Sequence, residues 1–292
     1  MAQSREKQGT LIIMTEQLDL YLNTWSLTEP EHLAETPTSQ VFTVLHQGER
    51  VILKLLTPIG VEDEQNGAIA LHLWDGHGAV RLIRQSTDAH LLEYASGEEV
   101  TALVHRGEDE QAAIIIAGVL NQLHAASPAE IPAQITPLTV RFRRLFAYAN
   151  TDPLLGHGAQ IARTLLADPR DVVLLHGDMH HANIRQHPRR GWLAFDPKGV
   201  SGERTYDCAN TLCNPPSAVE LVHSEGRLLK IAGILAQQMA LEESRVLAYT
   251  FAYACLSASW SLDIGHEAEA EYAFKVARII EPHLGGNTAP NP

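Results

Sequence analysis

The stretch His176-Gly177-Asp178-Met179-His180-His181-Ala182-Asn183 gathers side chains that can hold a metal or move a proton. It follows the apolar run Val172–Leu175. After it come a short strand, a turn at Pro188-Arg189-Arg190-Gly191, and a second strand ending in Asp196-Pro197-Lys198-Gly199. With the turn centred between Arg189 and Arg190, Asn183 lies opposite Asp196, and the two side chains converge at one end of a hairpin. An amide oxygen and a carboxylate are hard ligands that suit Mg²⁺, which takes one or two carboxylates and fills its octahedron with phosphate oxygens and water. Asp178, in the loop entering the hairpin, adds a carboxylate that can receive a proton. One group for metal and one for a proton is what phosphoryl transfer needs. Singly, each of the three is as well explained by turn chemistry; their order in this strand context favours function.

Lys54 interrupts the strand Val51-Ile52-Leu53-Lys54-Leu55-Leu56. A lysine there snorkels outward or is paired, because an unpaired buried ammonium is costly. Period-two alternation puts it on the face of Ile52 and Leu56, and the segment that follows offers Glu62, Asp63 and Glu64.

These groups need a frame. Gln40–His46 and Arg50–Leu56 read as strands joined by Gln47-Gly48-Glu49. Glu62–Trp74 reads as a helix weakened by Gly67, and Gly78–Ile83 and His90–Tyr94 read as two more strands. Beyond Gly97 the pattern is helical: Asp109–His124, Leu138–Asn150, Gly158–Ala167, Gly226–Met239 and Glu242–Ser261. A short β island, Val172–Leu175, Asn183–Gln186 and Trp192–Phe195, carries the chemistry. The layout is a small sheet-rich lobe over residues 11–96, a larger helical lobe over 97–284, and an unstructured tail over 285–292.

Composition narrows the classes. The chain has 292 residues, 45% hydrophobic and 20% charged, with a net charge of −13. That balance repels phosphate backbones and argues against a general nucleic-acid binder, while an acidic surface can attract a cationic small molecule. The longest apolar run, Ala112–Leu120, is too short for a membrane span, and Leu11–Met14 is too short for a signal-peptide core, so the expected address is the cytoplasm. Three cysteines, Cys208, Cys213 and Cys255, give no disulfide framework and no zinc pair. His176, His180, His181 and His187 invite a metal reading, but no His-Glu-x-x-His pattern is present.

His176-Gly177-Asp178…Asn183 with Asp196-Pro197 resembles the aminoglycoside phosphotransferase family. The string from Trp192 to Glu203, with Tyr206-Asp207 and Asn214-Pro215, is similar to the branch of streptomycin 6-kinases and hydroxyurea phosphotransferases. Gly78-Ala79-Val80-Arg81-Leu82 and Leu91-Leu92-Glu93-Tyr94 resemble the same branch, so the likeness runs from about Leu33 to about Asp263. It implies an α+β, two-lobed, protein-kinase-like fold with ATP and Mg²⁺ as cofactors. Lys54 would hold the α/β-phosphates and pair with Glu64, or failing that Glu62. Ser39 or Thr38, in a loop that is not glycine-rich, would lie over the phosphates. The backbone near Glu93 and Ala95 would meet adenine. His176 would be a packed loop histidine, and Asp207 a buried aspartate receiving backbone N–H groups of the catalytic loop.

The resemblance also implies a cationic small-molecule acceptor of the streptomycin type, phosphorylated on a streptidine hydroxyl. Asp263, at the end of a long helix after Trp260, is the expected acceptor contact, with Glu203 second; a solvated acidic helix end, with Glu267 and Glu269, is the plainer reading. Three alternatives stay open: hydroxyurea or an endogenous alcohol as acceptor, a nucleotide-binding regulator without turnover, and a histidine-based metal hydrolase.

Overall fold

A helix over 16–24 leads into a five-stranded antiparallel sheet with the order β1-β2-β3-β5-β4, in a computed structural model that describes residues 16–285. The strands are β1 Thr28–Glu35, β2 Ser39–His46, β3 Glu49–Leu56, β4 Leu82–Gln85 and β5 Ala89–Glu93. Leu11–Met14 and the tail from residue 286 lie outside the described residues. The alternation in β3 sorts its two faces: Val51, Leu53 and Leu55 pack with Tyr21, Trp25, Phe42 and Leu91 under the sheet, while Ile52 and Lys54 face a cleft. β1 is exposed along its whole length, which left no alternation for sequence reading to find.

The expected helix Glu62–Trp74 is two helices, Pro58–Asp63 and Gln65–Trp74, with Glu64 at their junction. Thr57 caps the first through its hydroxyl, and Pro58 supplies its first turn. Gly67, which weakens the helix on propensity alone, has a tertiary reason: a Cβ there would fall 2.2 Å from the Pro197 carbonyl oxygen. The second helix thus lies directly on the Asp196–Pro197 loop of the other lobe. The expected strand at Gly78–Ile83 is displaced. Residues 78–80 leave the sheet to bond the far lobe, Val80 N–H to Ala194 O at 2.9 Å and Ala194 N–H to Gly78 O at 2.9 Å.

The second lobe is built on helices Asp109–Ala125, Pro153–Ala167, Glu225–Met239, Glu243–Asp263 and Glu267–Ile280. Glu243–Asp263 is buried on nearly all sides between Val246 and Ser259 and runs through the middle of the core. Glu267–Ile280 was not anticipated, yet Ala270, Ala273, Val276, Ala277 and Ile280 give it a buried stripe at helical spacing. Leu138–Asn150 is broken at Phe142 into Leu138–Arg141 and Arg143–Tyr148. Two small sheets complete the lobe, β6-β10-β7 (Thr136–Pro137, Val200–Glu203, Val172–Leu175) and the hairpin β8-β9 (Ile184–His187, Gly191–Ala194). The three cysteines are buried thiols.

Candidate active site

Between the lobes lies a cleft of about 500 Å³, lined among others by Ser39, Lys54, Glu64, Glu93, Ala95 and Asp196. Lys54 Nζ donates to Glu64 Oε2 at 2.8 Å and also to Asp196 Oδ1. Three elements distant in sequence therefore meet at one ammonium. Burial alone would raise the Asp196 carboxyl, but the Lys54 charge and hydrogen bond, together with smaller contributions from Lys198 and His176, outweigh it and hold the group below the usual range. Lys54 is likewise opposed by burial, and Asp196 and Glu64 together raise it. Lys198 Nζ stands 4.0 Å from Glu64 Oε1.

The catalytic-loop candidates are held from beneath. Asp207 Oδ2 accepts the His176 N–H at 2.9 Å and His124 Nε2–H at 2.9 Å, and its Oδ1 accepts the Gly177 N–H at 2.8 Å. The His176 ring is fully buried; its Nδ1 accepts from the Asp178 N–H at 3.3 Å, so its Nε2 donates to Phe195 O at 3.0 Å. Burial lowers its pKa, which keeps the ring neutral and suits that bonding. Asp178 keeps about a quarter of its side chain exposed. Asn183 Nδ2 donates to Asp178 O at 2.9 Å and lies 3.4 Å from Asp178 Oδ2.

The hairpin register differs by one from the expectation. His187 pairs with Gly191 and Ile184 with Ala194, because the turn has three residues, Pro188 to Arg190, closed by Gly191 at φ 77°. Asn183 therefore faces Phe195, whose N–H bonds its carbonyl at 3.0 Å, and not Asp196. Asp196 takes φ 59°, in the left-handed region, which ends the strand and turns its carboxylate to Lys54.

Ser39 is buried in a tight turn, with its carbonyl accepting the Thr36 N–H at 2.8 Å and its hydroxyl 3.1 Å from that of Thr36. Thr38 Oγ1 reaches Glu64 Oε1 at 3.4 Å. Glu93 ends β5 at the lobe junction. Its side chain is taken by the protein itself: Arg190 Nη1 and, at 3.0 Å, the Arg81 N–H bond Oε2. The Glu93 carboxylate is thus engaged within the protein, and Ala95 follows it on the cleft wall.

The two acceptor candidates separate. Glu203 is 1% exposed and spent: Arg245 holds both oxygens at 2.5 Å, and Thr205 Oγ1, Tyr249 OH and the Arg170 N–H complete the set. A ligand contact there is corrected to a structural ion pair; the sequence neighbours of Glu203 gave no sign of Arg245, 42 residues on. Asp263 stays a third exposed, bonded by Arg144 Nη1 at 2.8 Å and Tyr148 OH at 3.1 Å.

Two residues not singled out from sequence touch the loop that carries Asp178. Arg141 donates from Nη2 to Gly177 O at 3.0 Å and from Nε to Tyr206 OH at 2.9 Å, while its guanidinium lies 4.9 Å from the centre of the Trp260 ring. Asn210 Nδ2 donates to Asp178 Oδ1 at 2.9 Å. The half-buried Arg141 lies four residues after Pro137 in a basic run and carried no motif; only packing distinguishes it from the exposed Arg143 and Arg144.

For a divalent cation, the chemistry of the donors fits Mg²⁺. Asp196 keeps a third of its side chain exposed to the cleft, and Asn183, by giving its amide nitrogen to Asp178, turns its oxygen the other way. Among the described residues no three His, Cys, Asp or Glu side chains form a metal cage. An ion held by one carboxylate and one amide must find its remaining ligands on phosphate and water, as Mg²⁺ does.

The family described as aminoglycoside/hydroxyurea antibiotic resistance kinase matches residues 24–265. A streptomycin 3''-kinase of Klebsiella pneumoniae is 35% identical over 82% of this chain and 91% of its own. A streptomycin 6-kinase of Streptomyces glaucescens is 28% identical over 95% and 92%. Among solved structures, the choline kinase LicA of Streptococcus pneumoniae superposes with a TM-score of 0.65 over 91% of this chain and 99% of its own at 13% identity. A thermostable mutant of aminoglycoside phosphotransferase APH(4)-Ia, solved with AMP-PNP and hygromycin B, does so with a TM-score of 0.58 over 91% and 98% at 14% identity. The sheet lobe, the helical lobe and the cleft between them are thus the protein-kinase-like fold, and the chain belongs to the aminoglycoside/hydroxyurea antibiotic resistance kinase family, phosphotransferases that act on an alcohol group.

Proposed function

We propose that the protein transfers the γ-phosphoryl group of ATP to a hydroxyl of a streptomycin-type aminoglycoside. The observation that carries this reading is the meeting of Lys54, Glu64 and Asp196 at the cleft, with Asp178 and Asn183 on the adjoining loop. Lys54, oriented by Glu64, would leave Asp196 for the α/β-phosphates of the nucleotide. Asn183 and Asp196 would hold Mg²⁺, which neutralises charge on the phosphates. Ser39 and Thr38 lie at the mouth over the phosphates, and the backbone at Glu93 and Ala95 borders the adenine end. Asp178 orients the acceptor hydroxyl and takes its proton late, so the chain's contribution is chiefly positioning. The ATP assignment draws on the AMP-PNP complex of the structural neighbour.

The acceptor assignment draws on the two streptomycin kinases and on the net charge of −13. Asp263 lies one helical turn beyond Trp260, whose ring packs on Arg141, the residue that grips the catalytic loop. A carboxylate in that place can pair with a guanidinium of the acceptor, in exchange for Arg144. The test is incubation of streptomycin with Mg-ATP and enzyme, read by mass spectrometry. An 80-dalton adduct (the mass of an added HPO₃ group) is expected. Its fragments place the phosphate on the streptidine ring, as expected from the branch of 6-kinases, or at position 3''. No adduct after exhaustive incubation overturns the acceptor. Phosphorylation of hydroxyurea or another alcohol in a panel would keep the kinase reading and replace the acceptor.

A further inference from the structure

One short helix, Tyr206–Leu212, touches four successive residues of the catalytic loop, His176 to Met179. Asp207 takes the N–H groups of His176 and Gly177. Thr211 Oγ1 donates to Met179 O at 3.2 Å. Tyr206 OH accepts from Arg141, which also holds Gly177 O. Between these backbone contacts, Asn210 alone on this helix reaches the Asp178 side chain, donating from Nδ2 to Oδ1 at 2.9 Å.

The Asn210 amide has its direction fixed. Asn214 Nδ2 lies 2.9 Å from Asn210 O, a backbone carbonyl that can only accept, so the Asn214 amide must present its nitrogen there. The same nitrogen lies 2.8 Å from the Asn210 side chain, which must then offer its oxygen to Asn214 and its nitrogen to Asp178. Asn214 is itself anchored, since Arg227 Nη2 donates to its carbonyl at 2.9 Å and Nη1 to Leu212 O at 2.8 Å, with Asp109 balancing the guanidinium. Asn210 is 7% exposed and Arg227 7%, so water does not compete for these bonds.

We infer that Asn210, oriented by Asn214, is a positioning residue that pins Oδ1 of Asp178 and leaves Oδ2 as the oxygen that meets the acceptor hydroxyl. Oδ2 has only long approaches from Asn183 Nδ2, 3.4 Å, and His180 Nε2, 3.9 Å. Without the Asn210 bond the carboxylate rotates about its Cβ–Cγ axis and loses the alignment that phosphoryl transfer demands. The inference rests on the catalytic reading of Asp178.

The test is a double-mutant cycle. Asn210→Ala should lower kcat about ten- to hundredfold, the range of a hydrogen bond to a charged group, with the KM of ATP and of acceptor within about threefold of wild type. In an Asp178→Asn background, assayed with γ-labelled nucleotide, the same substitution should cost less than about twofold, because the group it positions is already gone. Equal costs in both backgrounds, or a wild-type kcat in Asn210→Ala, overturn the inference. If Asn210→Ala does not fold, Asn214→Ala is read in the same cycle: it should lower kcat severalfold alone and be silent in Asp178→Asn, and equal costs again overturn the inference. A wild-type kcat in Asp178→Asn alone would sink the catalytic reading itself, a separate outcome.

Discussion

Lys54 and Arg245 each bring a cation to carboxylates, yet they leave those carboxylates in opposite conditions. Arg245 and its neighbours close around Glu203 with five hydrogen bonds, and the acid is 1% exposed. Lys54 divides itself between Glu64 and Asp196, and the Asp196 side chain stays 35% exposed to the cleft. A fully satisfied buried acid is a piece of architecture, since any ligand would have to break several bonds to reach it. A carboxylate with one partner and an open face can exchange that partner for another cation. The comparison also ranks Asp263 between the two, a third exposed with Arg144 and Tyr148 as partners.

Five substitutions sharpen or break this contrast. Asp178→Asn should lower phosphoryl transfer by roughly 10²–10⁴-fold, the range for acid–base groups, with nucleotide binding retained. A near wild-type kcat would remove Asp178 from its role. Glu203→Ala should destabilise the fold by about 3–5 kcal/mol, because it strands the Arg245 guanidinium in a buried site. Thermal midpoints read that loss, and an unchanged midpoint would show that the cluster is slack.

Asp196→Ala should weaken nucleotide binding about tenfold or more in Mg²⁺ and change it little with the metal chelated. Titrations with and without EDTA separate the two, and equal losses would mean that Asp196 is as structural as Glu203. Asp263→Asn should raise the acceptor KM several-fold and leave the ATP KM unchanged, while Arg144→Ala should lower the acceptor KM by freeing the same carboxylate. If both variants shift KM in the same direction, the exchange of Arg144 for an acceptor guanidinium is wrong.

The remaining effect is on pH dependence and concerns His90, the cross-strand partner of Lys54. Burial first, and the Lys54 charge second, lower its pKa to about 4. The unfolded chain takes up this proton near the ordinary 6.5, before the folded one does. The stability is therefore complete above pH 6.5 and is lost as the pH falls toward 4, by at most about 1.4 kcal/mol per pH unit. His90→Gln should flatten the fall of the thermal midpoint across that window. An unaltered slope would assign the acid sensitivity to other groups.

Sequence reading recovered the local parts best. The strand bearing Lys54, the long helices and the order Asp178, Asn183, Asp196 are short-range patterns: a period of two, a period near 3.6, and fixed spacings in a loop between strands. It missed helix Glu267–Ile280 because the acidic start masked a regular alanine stripe. It misplaced the hairpin register because two- and three-residue turns differ only in whether Gly191 lies inside or closes the loop.

The sequence by itself determined which chemistry the loop can do, since residue types and their spacing within one turn and two strands are properties of the chain alone. It also narrowed Lys54 to two conditions, snorkelling outward or paired, because an unpaired buried ammonium is costly. Only the tertiary structure decided which carboxylates stay open. Glu64 and Asp196 meet Lys54 across 10 and 142 residues, Arg245 reaches Glu203 across 42, and Asn210 reaches Asp178 across 32. Such pairings follow from the packing of helices and strands against one another, so the partner that closes a site or aims it is set by the fold and not by the residues on either side of it in the chain.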